Sequence, residues 1–222
     1  MIHNRLPTGI TKFDEFLKGG LEKGSITLVY GLPGTGKTIL SLNIALNISN
    51  NDVRIVYIDT EGINNEIFNM IFENRIENAK RIIFYRPFNF QEQEMHLKYV
   101  YNLLYQYNKI PLIIIDSLTE FYGMDEKHYF DKEILSKQIG LLIEITEEFN
   151  IPIFMTSRAI FNLKERRIMF PGEYYLKSRF KTIIKMEKID DVKRMVLEKH
   201  PTINAGKSII YKIQDGRIIF GE

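Results

Sequence analysis

Cysteine and tryptophan are absent from this chain of 222 residues, and only seven residues are proline. Without cysteine the chain has no disulfide and no thiolate metal site, and an intracellular setting is weakly favoured. No apolar run approaches the ~20 residues that a membrane-spanning helix needs. The opening Met1-Ile2-His3-Asn4-Arg5 is not that of a signal peptide. We therefore expect a soluble cytoplasmic protein with no membrane partner.

Charge is nearly balanced over the chain but is unevenly distributed along it. The formal net charge is +2, and hydrophobic residues make up 45% of the sequence. Between Arg158 and His200 there are 12 Lys and Arg against 6 Asp and Glu, which is a net of +6 and leaves −4 for the rest. A basic C-terminal third indicates either a polyanionic partner or a solvated charged surface. The length suits a single α/β domain over residues 1–222.

One segment fits the pattern G-x-x-x-x-G-K-[ST] of a phosphate-binding loop. It consists of Gly31, Leu32, Pro33, Gly34, Thr35, Gly36, Lys37 and Thr38. In such a loop the glycines let backbone N–H groups surround phosphate oxygens, the lysine contacts the β- and γ-phosphates, and the hydroxyl binds Mg²⁺. An apolar strand at 25–30 precedes the loop and an apolar helix at 39–48 follows it. This order predicts a site for ATP and Mg²⁺ rather than a chance glycine turn.

Strands and helices alternate along most of the chain. Strands are predicted at 54–59, 81–85, 112–115 and 151–156, and helices at 11–18, 65–74, 90–107 and 131–149. Alternation of this kind predicts a mostly parallel sheet covered by helices on both faces. Further strands at 180–187, 193–199, 208–213 and 217–220, with an Asp-Gly turn before the last, predict an antiparallel C-terminal extension.

Two carboxylates are expected beside the phosphate loop. Asp116 ends the apolar strand at 112–115, where an acid can organise Mg²⁺, so Asp116 and Thr38 are the candidate metal ligands. Glu61 ends the strand that follows the loop helix, and we take it as the candidate general base, with Lys37 as the other catalytic residue. Asp59 is predicted to be either a structural acid or one that supports a residue of the site. Arg158 follows the strand predicted at 151–156. Three roles are compatible with it: a contact to the γ-phosphate, a contact to DNA, and an ordinary surface position.

Several motifs together resemble the RecA-type recombinases over nearly the whole chain. They are Leu6-Pro7-Thr8-Gly9 through Gly19-Gly20-Leu21, Tyr57-Ile58-Asp59-Thr60-Glu61-Gly62, and the strand that ends in Asp116-Ser117. The resemblance implies a RecA-like P-loop ATPase core. The short length, with no preceding helical domain, is most similar to the RadB group of archaeal RadA paralogues.

That resemblance also implies a role and partners. The role is that of an accessory protein of homologous recombination and DNA repair, with weak ATPase activity. The implied partners are single-stranded or branched DNA, a RadA-type recombinase and a Holliday-junction resolvase. Residues 160–172 would then be the DNA-binding loop, where cations neutralise phosphates and aromatic rings stack on bases. The candidate DNA contacts are Arg158, Phe161, Lys164, Arg166, Arg167 and Phe170.

The chain departs from the recombinase pattern in three places. Ser157-Arg158 stands where Asn-Gln is usual, so coupling between nucleotide state and DNA binding is not carried over. The segment after Gly62 lacks the arginine that would contact adenine. No F-x-x-A element through which RadA subunits join is found, so a homodimer is compatible with the sequence but a filament is not expected.

Two other functions share the phosphate loop. A KaiC-like regulatory ATPase that does not act on DNA would tend to carry paired glutamates after the second strand, whereas this chain has Glu61 alone. A small-molecule kinase would need an acceptor pocket and a lid rich in arginine. A kinase function also does not explain why the chain carries the Asp-Thr-Glu-Gly element. The recombination accessory protein is the preferred hypothesis.

Overall fold

Strands from most of the chain assemble into one nine-stranded sheet in the computed structural model, which describes residues 4–50, 52–121 and 132–221. In chain order the strands are β1 (Arg5–Leu6), β2 (Leu21–Glu22), β3 (Ile26–Gly31), β4 (Ile55–Asp59), β5 (Ile82–Tyr85), β6 (Ile113–Asp116), β7 (Ile153–Arg158), β8 (Ile160–Asn162), β9 (Arg167–Met169), β10 (Thr182–Ile189), β11 (Val192–Lys199), β12 (Ser208–Gln214) and β13 (Arg217–Phe220). The order across the large sheet is β13-β12-β11-β10-β3-β7-β6-β4-β5. Strands β10 to β5 in this order run parallel, and β10 to β13 pair antiparallel. The predicted mostly parallel sheet with an antiparallel C-terminal extension is confirmed.

Helices cover both faces of the sheet. They are α1 (Thr11–Phe16), α2 (Lys37–Ile48), α3 (Asn65–Phe72), α4 (Ile76–Ala79), α5 (Phe90–Gln106), α6 (Lys132–Phe149) and α7 (Glu173–Leu176). Side chains of α2 and α3 join one apolar core, and side chains of α5 and α6 join a second core on the opposite face. No helix among the described residues is long and apolar enough to cross a membrane.

The burial of both sheet faces explains why the central strands read as unbroken apolar runs. In the run that leads into Asp116, Leu112 and Ile114 belong to the core under α2, whereas Ile113 and Ile115 belong to the core under α5 and α6. All four side chains are buried. A strand covered on both faces is apolar along its length, and a polar residue is accommodated only where the strand ends. Asp116 lies at the carboxyl end of β6, on the edge of the sheet formed by the carboxyl ends of the parallel strands.

The C-terminal extension, residues 192–220, folds back onto the helix that follows the phosphate loop. Asp215 and Gly216 form its predicted tight turn, with φ of 49° and 66°, the left-handed conformation that such hairpins require. Asn43 of α2 fixes this turn, because its Nδ2 donates to the Gly216 carbonyl at 2.8 Å and its Oδ1 accepts from the Ile218 N–H at 3.3 Å. The extension is thus docked on α2 as well as paired in the sheet.

Some local elements differ from the sequence-based prediction. Residues 160–172, expected as a loop, contain the antiparallel hairpin β8–β9. Its turn is stabilised by the Asn162 Oδ1, which accepts from the N–H groups of Lys164 and Glu165 at 2.9 and 3.2 Å. Helix α3 ends at Phe72, two residues before the predicted end. The predicted start of the helix at residue 131 lies outside the described residues.

Candidate functional site

The phosphate loop connects β3 to α2 and has the backbone that its glycines predict. Gly34 and Gly36 have φ of 77° and 97°, a region that residues with a Cβ rarely adopt. Gly31 is needed for another reason, because a Cβ there would lie 2.3 Å from the Met186 carbonyl oxygen on β10. The loop therefore has the open concave backbone on which a phosphate group can rest.

Lys37 is the first residue of α2, and its side chain curls back over the loop. Its Nζ donates to the Gly31 carbonyl at 2.9 Å and to the Leu32 carbonyl at 3.4 Å. Burial lowers the pKa of Lys37, and the negative charges of Glu61 and Asp116 oppose that shift. The ammonium group is thus held inside the loop with two acids near it.

Asp116 is buried at the end of β6 and accepts several hydroxyl hydrogen bonds. Tyr57 donates to its Oδ2 at 2.8 Å and Thr156 to its Oδ1 at 2.5 Å, while Ser41 lies 3.4 Å from its Oδ2. Burial raises the pKa of Asp116, and hydrogen bonds from Thr156, Tyr57 and Thr38 act against that shift. Because Thr38 acts on the pKa of Asp116, the two predicted metal ligands lie near each other.

The oxygen atoms of Thr38 and Asp116 suit Mg²⁺, which prefers oxygen ligands and is often held by one or two protein groups plus phosphate oxygens and water. Among residues 4–50, 52–121 and 132–221 there is no group of three or more His, Cys, Asp or Glu that could form a closed metal cage. A site of this composition fits a metal that arrives with a nucleotide better than a permanently bound structural ion.

Glu61 lies beside the end of β6 because β4 and β6 are parallel neighbours with Asp59 opposite Asp116. The Ser117 hydroxyl donates to the Glu61 Oε1 at 2.8 Å. Thr60 fixes the backbone at this point, since its hydroxyl accepts from the Ser117 N–H at 2.8 Å and donates to the Ser117 carbonyl at 2.7 Å. Lys37, Asp116 and Glu61 therefore share one edge of the sheet, as the sequence predicts.

Asp59 has a structural role, one of the two that the sequence predicts for it. Its two oxygens accept from the N–H groups of Gly62 and Ile63, each at 2.9 Å. Arg86 pairs with it at 3.3 Å. The carboxylate is therefore used in holding the turn that carries Glu61.

Arg158 pairs with two carboxylates at the same edge. Its Nε lies 3.4 Å from the Glu61 Oε1, and its Nη2 contacts the Glu120 carboxylate. Burial raises the pKa of Glu120, while Arg158 lowers it. The sequence analysis assigned no role in the site to Ser117 or Glu120. Both follow Asp116 closely, and an acid in that turn could have indicated a contact to the site.

The predicted DNA contacts in residues 160–172 divide into an exposed group and a structural group. Phe161, with 58% of its surface exposed, and Lys164 and Arg166 lie on the β8–β9 hairpin or at its turn. Arg167 is instead paired with the buried Glu173, at 2.9 and 3.0 Å, and with Glu165 at 2.5 Å.

Phe170 corrects the sequence-based assignment. Only 1% of its surface is exposed, and its ring packs edge-on against Tyr30 at 5.3 Å. A ring in the core has no free face for a base, so Phe170 does not belong to a DNA-contacting surface. The same residue joins the hairpin segment to the core beneath the sheet.

The opening motif that begins at Leu6-Pro7-Thr8-Gly9 also has a structural explanation. Asp14 of α1 accepts from the N–H and the hydroxyl of Thr8 at 2.8 and 2.7 Å, and from the Gly9 N–H at 3.2 Å. These bonds fix the chain where it enters α1. The motif orders the start of the core and does not line the phosphate loop.

Comparison with known proteins places this geometry in a family. Residues 3–180 match the family model described as Rad51. The chain belongs to the Rad51 family. A protein of Methanobrevibacter smithii named DNA repair and recombination protein RadB is 30% identical, over 98% of this chain and 96% of its own length. A protein of the same name from Methanoculleus marisnigri is 32% identical, over 96% of this chain and 97% of its own. Within the family, the chain is therefore a member of the RadB group.

The RadB assignment agrees with the fold. A solved structure described as the crystal structure of the RadB recombinase superposes with a TM-score of 0.82 at 27% identity, over 96% of this chain and 98% of that chain. Rad51-family proteins bind ATP, typically with Mg²⁺. Membership of the RadB group supports a role in DNA repair and recombination.

Proposed function

We propose that this RadB-group protein binds ATP with Mg²⁺ at the phosphate loop, hydrolyses it slowly, and serves as a DNA-binding accessory protein beside a RadA-type recombinase. The observation that carries the proposal is the convergence of Lys37, the Thr38–Asp116 pair and Glu61 at one sheet edge. These are the groups that phosphoryl transfer needs: a cation, oxygen ligands and a base.

Each residue of the site has a separate role in this proposal. The backbone N–H groups of the loop, which every residue except Pro33 carries, and the Lys37 ammonium bind the phosphates. Thr38 and Asp116 would hold Mg²⁺, which would neutralise negative charge on the bound phosphates. Glu61 accepts a proton from the attacking water. The Thr60–Ser117 bonds fix the turn from which the Glu61 carboxylate projects.

Slow turnover is proposed because Glu61 is already engaged. Its Oε1 accepts from Ser117 at 2.8 Å and faces Arg158 at 3.4 Å. A carboxylate with these two partners must leave them before it can accept a proton from water. ATP in such a protein serves mainly as a ligand that selects a conformation.

DNA contact is proposed at the tip of the β8–β9 hairpin. Phe161 offers an exposed ring, and Lys164 and Arg166 offer cations at the turn. Rings that stack on unpaired bases and cations that neutralise phosphates suit single-stranded or branched DNA. The proposed partners remain a RadA-type recombinase and a Holliday-junction resolvase, which the family resemblance supports, and a homodimer is compatible with that resemblance.

The test measures ATP binding and single-stranded DNA binding together at several salt concentrations. DNA affinity should fall linearly with log salt, because phosphate contacts release counterions. The Lys164→Ala/Arg166→Ala variant should reduce the slope by about 1.4, which is ~0.7 for each of two phosphate contacts on a single strand. The control Lys12→Ala/Lys98→Ala, which removes two exposed cations elsewhere, should leave it close to the wild-type slope. ATP binding with no salt-dependent DNA binding would instead favour a KaiC-like regulator.

A further inference from the structure

The C-terminal extension contacts the phosphate loop from its outer side. Lys193 and Tyr211 are directly opposite each other in the β11–β12 pair. The Lys193 Nζ donates to the Gly34 carbonyl at 2.6 Å, and the Tyr211 hydroxyl donates to the Thr35 carbonyl at 2.6 Å. One cross-strand pair thus binds two successive carbonyls of the loop.

These two carbonyls belong to peptide groups whose N–H ends face the other way. The Gly34 carbonyl shares its peptide with the Thr35 N–H, and the Thr35 carbonyl shares its peptide with the Gly36 N–H. In a phosphate loop such N–H groups bind the phosphate oxygens. A donor on the carbonyl oxygen fixes the peptide plane and strengthens the N–H as a donor, since linked hydrogen bonds polarise each other.

Packing holds this arrangement in place. Tyr211 is buried, and burial keeps its hydroxyl protonated because the pKa of Tyr211 is raised well above its ordinary value. A Cβ on Gly36 would lie 2.5 Å from the Ile213 Cδ1, so the extension also covers the last glycine of the loop. The Asn43 bonds to Gly216 and Ile218 fix the same hairpin to α2.

We propose that Lys193 and Tyr211 are positioning residues that fix two successive peptide planes of the phosphate loop, so that the Gly36 N–H is directed toward the phosphates of a nucleoside di- or triphosphate while the Thr35 N–H keeps its bond to the Leu32 carbonyl at 3.4 Å. The inference rests on the proposed nucleotide site at this loop. It gives the C-terminal extension a part in nucleotide binding, although the extension lies about 150 residues beyond the loop. Neither residue touches the reacting atoms.

The experiment compares Tyr211→Phe and Lys193→Met with two matched controls. Tyr101→Phe removes a tyrosine hydroxyl that donates to Glu148 on α6, far from the loop in the fold, and Lys212→Met removes an exposed lysine of the same extension. The dissociation constants of ADP and ATP are measured with Mg²⁺, along with the melting temperature of the nucleotide-free protein. Each test variant should weaken binding roughly 3- to 10-fold, the effect of one lost hydrogen bond, and the controls should not.

Three results would overturn the inference. A lower melting temperature with unchanged nucleotide affinity would make Tyr211 and Lys193 structural only. Equal losses in the control variants would remove the specific role of the two carbonyl contacts. Lys193→Arg, which keeps a cationic donor, should retain most of the affinity that Lys193→Met loses, and equal losses in both would contradict the bond to Gly34. A wild-type protein with no nucleotide affinity would remove the proposed function as well, whereas failure of the variants alone leaves that function intact.

Discussion

Replacing Arg158 by Gln should make hydrolysis faster. The Arg158 Nε faces the Glu61 Oε1 at 3.4 Å, and the two side chains are 50% and 33% exposed. Glu61 must break this ion pair before it can act as a base in the proposed reaction. The substitution removes the positive charge and keeps a shorter polar side chain at a half-exposed position, so the base is released without emptying a buried position.

The size of the effect follows from the exposure of the pair. Partly exposed ion pairs are worth about 0.2–1 kcal/mol, because water screens the charges and side-chain entropy opposes the contact. Removing that stabilisation from the resting state corresponds to an increase in kcat of roughly 1.4- to 5-fold. The bond from Ser117 remains, which limits the gain.

The assay is phosphate release at saturating ATP, with ATP affinity measured separately. Arg86→Gln is the matched control, because Arg86 also pairs with a carboxylate at this edge, Asp59 at 3.3 Å, and is similarly exposed at 55%. Its variant should leave kcat near the wild-type value. A lower kcat in Arg158→Gln with unchanged ATP affinity would refute the reasoning, since it would mean that Arg158 stabilises the transition state instead of restraining Glu61.

Three further predictions test other parts of the site and the fold. Glu61→Gln should retain ATP affinity and lower kcat by about 100-fold or more, as expected when a general base is removed, and full activity would take Glu61 out of that role. Phe170→Ala should lower the free energy of unfolding by about 3–5 kcal/mol in a denaturant titration, because the ring is buried, whereas Phe161→Ala should change it by less than about 0.5 kcal/mol. Burial, with a smaller effect from Arg5, lowers the pKa of His200 from 6.5 to about 4 in the folded protein. The folded state therefore binds fewer protons than the unfolded state, so stability should fall as the pH drops from 6.5 towards 4, and His200→Gln should flatten that fall in thermal melts at each pH.

Local patterns predicted the phosphate loop and the carboxylates beside it, because each of these parts lies in a short segment. The loop at residues 31–38 needs only glycines, a lysine and a threonine at fixed spacing, and Asp116 needs only an apolar strand before it. The Asp215–Gly216 turn was predicted for the same reason, since its left-handed backbone depends on those two residues. The parallel sheet then brings Glu61 to Asp116 through the β4–β6 register.

Some features that depend on long-range side-chain contacts were not predicted. The pattern of Phe170 among cations suggests a DNA contact, but the ring is buried because Tyr30 and Phe180 pack against it. Lys193 and Tyr211 read as ordinary strand residues in the sequence. Their bonds to the phosphate loop arise only when β11 and β12 join the sheet beyond β10, which places them beside residues 159 and 176 positions earlier in the chain.

The proposed nucleotide site is tested most directly by titrating the wild-type protein and the Lys37→Ala variant with ATP in the presence of Mg²⁺. Lys37 is held inside the loop by the Gly31 carbonyl at 2.9 Å, so its ammonium lies where phosphate charge would be neutralised. The wild-type protein should bind ATP, and Lys37→Ala should lose binding or hydrolysis while its melting temperature without nucleotide stays close to the wild-type value. Equal ATP affinity and turnover in the two proteins would contradict a nucleotide site at this loop.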